Sequence, residues 1–474
     1  MSQVTTYLEL SEASGAHKFY EVTVDGLAVT VRYGRIGDVG QSKTSSFPTP
    51  ERATAEAAKK IGEKVRKGYA PAVPGVRAKR SVSRRQIASV QSTAKRAPVL
   101  WRYRSGASAF GIFVNDEIAM VGNEKGQVTT LNHEAEVIRQ VQLPDGVKCL
   151  VADTEWLYAG CDDGNVYDLS GKVPRLAYQI AEDVDIYWLD IHDGVLGVSD
   201  ADGGIAAIDH EDELLWRKKS TGSGGWMVRG DDVAFYHGHS RGVTSYDWRT
   251  GLQLWHEPTS SVLFGWQEPE TVYAGTSART VVRLGKDGKE PATYQCDAAV
   301  YSCATSPRGE YVFAGDSSSS VYCFDETGQR LWKLGTGCGS AYSMQYHQER
   351  LYIVTTDGSL ACIDASEAAI TAAQAGTVPQ VLDVKAASIP AATASAELEV
   401  TNDSTGGVLL ECVDHGGRLR IQVLSPGYHS GWHVQFPKEI RQAGARYVVT
   451  ELREASRGGF YRTVGDIRRL ADPR

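Results

Sequence analysis

The residues of this chain best suited to chemistry are cations and aromatics, spaced for contact with a polyanion. The stretch 76–98, VRAKRSVSRRQIASVQSTAKRAP, carries Arg77, Lys79, Arg80, Arg84, Arg85, Lys95 and Arg96 and no carboxylate. Upstream, Arg32, Tyr33, Gly34 and Arg35 stand in a row, Lys43 follows, and Lys60, Lys64 and Lys67 recur at helical spacing. Such cations neutralise phosphates, and an aromatic face stacks on a sugar or base, so the expected chemistry is salt-dependent, sequence-tolerant binding. Bond-making groups show no comparable arrangement. His237 and His239 share a strand face without a third ligand near in sequence, so a surface loop is expected rather than a metal site. The run 335–340, GTGCGS, lacks the lysine and the helix of a phosphate loop. Asp162-Asp163-Gly164-Asn165 and Asp200-Ala201-Asp202-Gly203 fit turns between strands better than calcium loops. No catalytic residue, metal or cofactor is assigned, and the expectation is a protein that is not an enzyme.

Charge separates these cations from the rest of the chain. The formal net charge is -8, yet residues 1–98 hold 17 Lys and Arg against 8 Asp and Glu, a surplus of +9. Residues 99–370 hold 21 against 39, or -18, and residues 371–474 are nearly neutral. A nucleic-acid surface is therefore expected at the N-terminus, and the acidic middle is left to a protein partner. The 474 residues are enough for about three domains. Gly 49, Tyr 22 and Trp 10 against Met 4 favour turn-rich β structure. No apolar run is long enough for a membrane helix, and the opening MSQVTTYLELSE has no secretory pattern, so a cytoplasmic address is expected. The eight cysteines include no C-x-x-C pair and read as buried, reduced thiols.

The elements that must position the N-terminal cations read as four strands, Thr5 to Leu10, Lys18 to Val24, Ala28 to Ile36 and Gln41 to Phe47, followed by a helix. Thr49 is its N-cap, Pro50 its first residue and Gly68 its stop, with Ala53, Ala57, Ile61 and Val65 along one face. The signature VRYGRIG (31–37), then Gly40-Gln41, Phe47 and Lys67-Gly68-Tyr69, resembles the WGR domain of DNA-dependent poly(ADP-ribose) polymerases and of bacterial WGR-containing proteins. Tyr33 stands where the family has Trp. The resemblance implies a small α+β domain over 1–74 in which Tyr33 packs on the sugar at a DNA end and Arg35 meets the backbone. The following 75–97 reads as a flexible basic linker, open either to phosphate or to solvent alone.

The middle of the chain repeats. The hydrophobic residue closing each second strand falls at Leu131, Leu169, Ile208, Tyr246, Leu284, Phe324 and Ile363, a period near 39. A unit of this length holds four short antiparallel strands and cannot cover both of its faces alone, so the units must stack side by side. Seven copies over 98–366 imply a seven-bladed β-propeller, with strand 99–103 completing the last blade and Trp216, Trp255 and Trp332 anchoring outer strands. The repeat V-Y-x-h-D-x-x-G-x-x-x-W, in which h is apolar, resembles pyrroloquinoline-quinone-like propellers more than WD40 repeats.

After an Ala-rich linker at 367–396, in which Val378 to Val384 is open to adding a strand, residues 397–474 read as a small α+β domain. Trp432, Lys438, Arg441 and Arg446 form a possible second basic-aromatic surface there, weighed against a plain core with solvated cations. The fold expected is multidomain and mainly β. The function expected is a cytosolic adaptor that holds DNA, or nucleic acid more broadly, at its head and a protein partner on its propeller. A scaffold that never meets nucleic acid and a propeller enzyme acting at the channel are the alternatives.

Overall fold

The computed structural model describes residues 4–11, 17–35, 40–72, 82–87, 90–182, 184–375, 382–384, 389–404 and 406–471. The chain divides into two compact units, one of residues 1–81 with 181–185 and one of 82–180 with 186–474.

In the first unit β1 (Val4–Ser11), β2 (His17–Asp25), β3 (Ala28–Arg35) and β4 (Gln41–Ser46) form an antiparallel sheet in the order β4-β3-β2-β1, and Ala70–Pro71 adds to β1. Helix α1 (Pro50–Val65) starts where Thr49 Oγ1 accepts the Arg52 N–H at 3.3 Å. Alternation puts Leu8, Tyr20, Val22, Val29 and Val31 on one sheet face, and Ala53 and Ala57 let the helix approach it closely. Val65 is exposed; the stripe facing the sheet ends at Ile61.

The second unit is an array of antiparallel sheets resembling a β-propeller. Sheets A (109–142), B (147–179), C (186–219), D (227–258), E (262–295) and F (300–335) each hold four consecutive strands. Sheet G joins three strands of 341–364 to Val99–Arg104, so the strand preceding the array pairs with the last strand of the array, Ser359–Asp364. The first strands pack successively, A on B through to G, and that of G returns to that of A. Second and third strands are buried almost continuously because neighbouring sheets cover both faces, as in Ser320–Asp325. Outer strands such as Leu214–Lys219 bury little but the anchor Trp216. Trp216 Nε1 donates to the Trp248 carbonyl and Trp255 Nε1 to that of Lys286. Gly251 and Gly288, both at positive φ, lie against these indoles so closely that a Cβ would fall within 2.7 Å of a ring atom.

In six sheets the register slips by one residue at the start of the first strand, at Phe110, Lys148, Tyr187, Leu263, Tyr301 and Tyr342. A bulge there raises the local twist and leaves the extra residue out of the ladder.

In their described parts the linkers are more ordered than their composition suggests. From Val82 the basic linker lies on the second unit: Arg84 bonds Asp162, Ser92 bonds Ser320, and Ala97 N–H donates to the Gly335 carbonyl. Flexibility is thus corrected for its described part, because these groups find buried partners far along the chain. In the Ala-rich linker, α2 (Glu367–Gln374) is capped by Ser366, and Leu382–Val384 and Ala392–Thr393 add as parallel strands to the outer edges of sheets G and A. At the C-terminus six strands form one sheet, and Arg446–Glu454 also pairs with Phe460–Leu470 so that the sheet closes. The only helical turn among the described residues of 397–471 is the 3₁₀ turn Lys438–Ile440, which corrects the α+β expectation. The segment between Pro437 and Gly444, at φ 76°, is too short to repay helix nucleation. All eight cysteines are buried and free. No described helix is long and apolar enough to cross a membrane.

Candidate nucleic-acid interface

The two-residue turn Gly26-Leu27 fixes the β2–β3 register and pairs Tyr20 with Tyr33, Lys18 with Arg35 and Glu21 with Arg32. Cross-strand partners share a face, so Tyr33 lies on the α1 side of the sheet and Arg32 on the other. Tyr33 is 43% exposed and stacks on the buried Tyr20 with ring centroids 6.3 Å apart. Lys64, in the last turn of α1, places Nζ 4.4 Å from the Tyr20 ring centre and 5.2 Å from that of Tyr69. Burial, then the repulsion of Lys67 and Lys18, holds the Lys64 ammonium below its usual range. An added phosphate relieves that repulsion, so a stacking face and a repelled cation, Lys64, stand side by side.

The other expected residues divide. Lys43 is exposed on β4 opposite Val31, and Lys67 is exposed just beyond α1. Lys60 pairs with Glu56 at 3.5 Å. Arg32 is taken out of the group, because its Nε and Nη2 bond both oxygens of Glu21, at 3.0 and 3.1 Å, on the far face of the sheet. Gly34 serves packing: a Cβ on it would lie 2.8 Å from the Gly40 Cα. The Arg35 backbone completes β3, while its side chain, together with Arg77, Lys79 and Arg80, lies outside the described residues. Tyr20 and Lys18 were not singled out from sequence; the short turn at Gly26-Leu27, which pairs them with Tyr33 and Arg35, is the signal that could have found them.

Arg84 and Arg85 are removed from any free basic arm. Arg84 pairs with the buried Asp162 at 2.6 Å, and Arg85 is 4% exposed inside the second unit. The C-terminal surface is corrected as well. Arg441 is buried against Glu211 at 2.8 Å, Lys438 pairs with Asp212, Arg446 with Glu411, and Trp432 packs on Tyr461. Most of these cations serve to dock the C-terminal domain on acidic turns of sheet C.

His237 and His239 are not in a surface loop. Both are wholly buried in the second strand of sheet D, and Thr244 Oγ1 bridges His239 and His256 at 2.9 Å to each. Among the described residues no group of three or more His, Cys, Asp or Glu is placed to hold a metal ion. In the second unit a cavity at the first strands, about 250 Å³, is lined by Phe110, Trp188, Asp190, Arg229, Trp266 and Gln267 among others.

The WGR domain pattern matches residues 4–76, and the WD domain, G-beta repeat, matches residues 288–325, from the outer strand of sheet E through the third strand of sheet F. Uncharacterized protein YfeS of Escherichia coli (strain K12) is 35% identical over 54 residues, which is 11% of this chain and 22% of that protein. The chain thus spans about a fifth of the length of that relative. Among solved structures, the WD40 beta propeller domain of Doa1 superposes with a TM-score of 0.48 at 12% identity, over 59% of this chain and 98% of its own. The computationally designed Ika8 protein gives 0.47 at 14% identity, over 57% and 99%. The chain carries a WGR domain at its N-terminus and a WD40 repeat within its array of antiparallel sheets.

Proposed function

We propose that this protein is a non-enzymatic adaptor that holds nucleic acid, with duplex DNA and its ends as the leading class, on the WGR domain and recruits a protein partner through the propeller. We read sheets A to G as the seven blades of that propeller. WGR domains bind nucleic acid in general and WD40 repeats generally mediate protein interactions, which supports the coarse form of this reading. The observation that carries the finer form is the half-exposed Tyr33 stacked on Tyr20 beside the repelled cation Lys64. The acidic balance of 99–370 directs a polyanion away from the blades, which leaves them to a protein.

The test is titration of the full chain with a short blunt duplex over a salt series. Binding that weakens steeply with salt, and that Tyr33→Ala weakens several-fold, is expected. Absence of binding at low salt, or affinity indifferent to Tyr33, overturns the reading.

A further inference from the structure

The bulges described above have a chemical consequence at the channel. A bulged residue of a first strand is out of the ladder, so its carbonyl is free to bond elsewhere. Three of these carbonyls converge on one guanidinium: Arg85 Nη1 donates to Leu263 at 2.8 Å and to Tyr301 at 3.0 Å, and Nη2 to Tyr342 at 3.0 Å. Around it lie Trp226, Trp188, Phe264 and Tyr342, with ring centres 5.1 to 5.9 Å from Cζ. Among the described residues no carboxylate pairs with this cation; carbonyl dipoles and aromatic faces hold it, an environment suited to a planar, weakly hydrated cation and poorly suited to an ammonium. Burial lowers its pKa to about 10, so it is charged at neutral pH.

The neighbouring residues are recognised too. Arg84 bonds Asp162 through Nε and Nη2, Lys148 Nζ donates to the Ser83 carbonyl, and Tyr342 Oη donates to the Arg85 carbonyl. Two guanidinium subsites and two backbone contacts make a site for an extended dipeptide. The fit is incomplete: Arg85 Nε is buried without a partner, and an unmet buried donor weakens the hold of whatever occupies the site.

We infer that this channel mouth is a receptor for two adjacent arginines in an extended peptide, that Ser83-Arg84-Arg85 occupies it in cis, and that a partner protein presenting an exposed Arg-Arg pair displaces that segment. The inference does not rest on the nucleic-acid reading, and its test contains no nucleic acid.

The experiment is calorimetric titration of the full chain with the blocked peptide Ser-Arg-Arg-Gln-Ile, the sequence of residues 83–87. The double variant Arg84→Ala with Arg85→Ala vacates both subsites and is expected to bind one peptide per chain. Wild type, whose own segment competes at high effective concentration, is expected to bind at least about tenfold more weakly. In the double variant, Ser-Lys-Lys-Gln-Ile is expected to bind about tenfold more weakly still than the arginine peptide, and an added Trp226→Ala to abolish binding. Should the double variant not fold, Arg85→Lys keeps the charge but not the planar fork, and it is expected to take the arginine peptide more tightly than wild type does. Equal affinity of wild type and variants, equal affinity for the lysine peptide, or a folded variant that binds nothing each overturns the inference.

Discussion

Arg462 Nη2 lies 2.8 Å from Asp153 Oδ2, with the two side chains 1% and 4% exposed, and this pair joins the C-terminal sheet to the first strand of sheet B. The same Nη2 reaches Tyr158 Oη, Nε reaches Gln435, and the guanidinium lies 4.1 Å over the Trp156 ring. Asp153 also accepts the backbone N–H groups of Asp193 and Gly194. Nε and Nη2 of Arg462 and both oxygens of Asp153 are thereby engaged, so removing one member strands the other in a buried site. Arg462→Ala is expected to lower stability by about 3–5 kcal/mol in urea denaturation. A loss under about 1 kcal/mol would show that the two domains are held by their other contacts.

The buried imidazoles make stability pH-dependent. Burial, then His239, pushes the His237 pKa down to about 3; burial, then His256 and Arg241, pushes that of His239 to about 4. The unfolded chain takes up these protons near pH 6.5, so between about pH 6.5 and the folded values it binds more protons than the native state. Stability is therefore full above pH 6.5 and falls with acid. Each such group adds a slope of about 1.4 kcal/mol per pH unit, and His237→Phe is expected to flatten the profile between pH 4.5 and 6 by about one such increment. An unchanged slope in the folded variant rules His237 out as a contributor.

The period near 39 was legible because each strand alternates and each turn carries its Gly or Asp, signals that are local in sequence. The fate of the cations was not, because it depends on pairing across long separations. Arg85 meets Tyr342, and Arg441 meets Glu211, across more than two hundred residues. Composition marks 75–97 as a flexible basic linker, yet bulges that no single strand announces put carbonyls where Arg85 needs acceptors. In the WGR domain the short Gly26-Leu27 turn made the partners of Tyr33 and Arg35 computable from sequence. That Arg32 is spent on Glu21 follows from the same register, whereas the stacking of Lys64 on Tyr20 required the helix to be placed.

Gly40 closes the end of β3. It sits at φ 72°, and a Cβ there would fall 2.5 Å from Phe19 Cζ and 2.8 Å from the Tyr33 carbonyl oxygen. Left-handed backbone and overpacking act together, so Gly40→Ala is expected to destabilise the WGR domain by about 1–3 kcal/mol. Amide exchange across β2 and β3 in the full chain reads this directly. Protection equal to wild type would mean that the backbone yields without loss.

The opposite faces of the WGR sheet give a sharper test of how nucleic acid docks than removal of Tyr33 does. Lys64 lies on the face of Tyr33 and Tyr20, where Lys67 and Lys18 repel it and a phosphate would relieve that repulsion. Arg32 lies on the other face, and Glu21 takes both of its forked donors. If the tyrosine face receives the duplex, Lys64→Ala weakens binding several-fold and lowers the slope of log affinity against log salt by about one, the signature of a lost phosphate contact. Arg32→Ala then leaves affinity within about twofold and the slope unchanged, because the contact it removes is internal. The reverse outcome, a changed slope for Arg32→Ala and none for Lys64→Ala, would place the duplex on the Phe19 face and separate stacking by Tyr33 from the binding event.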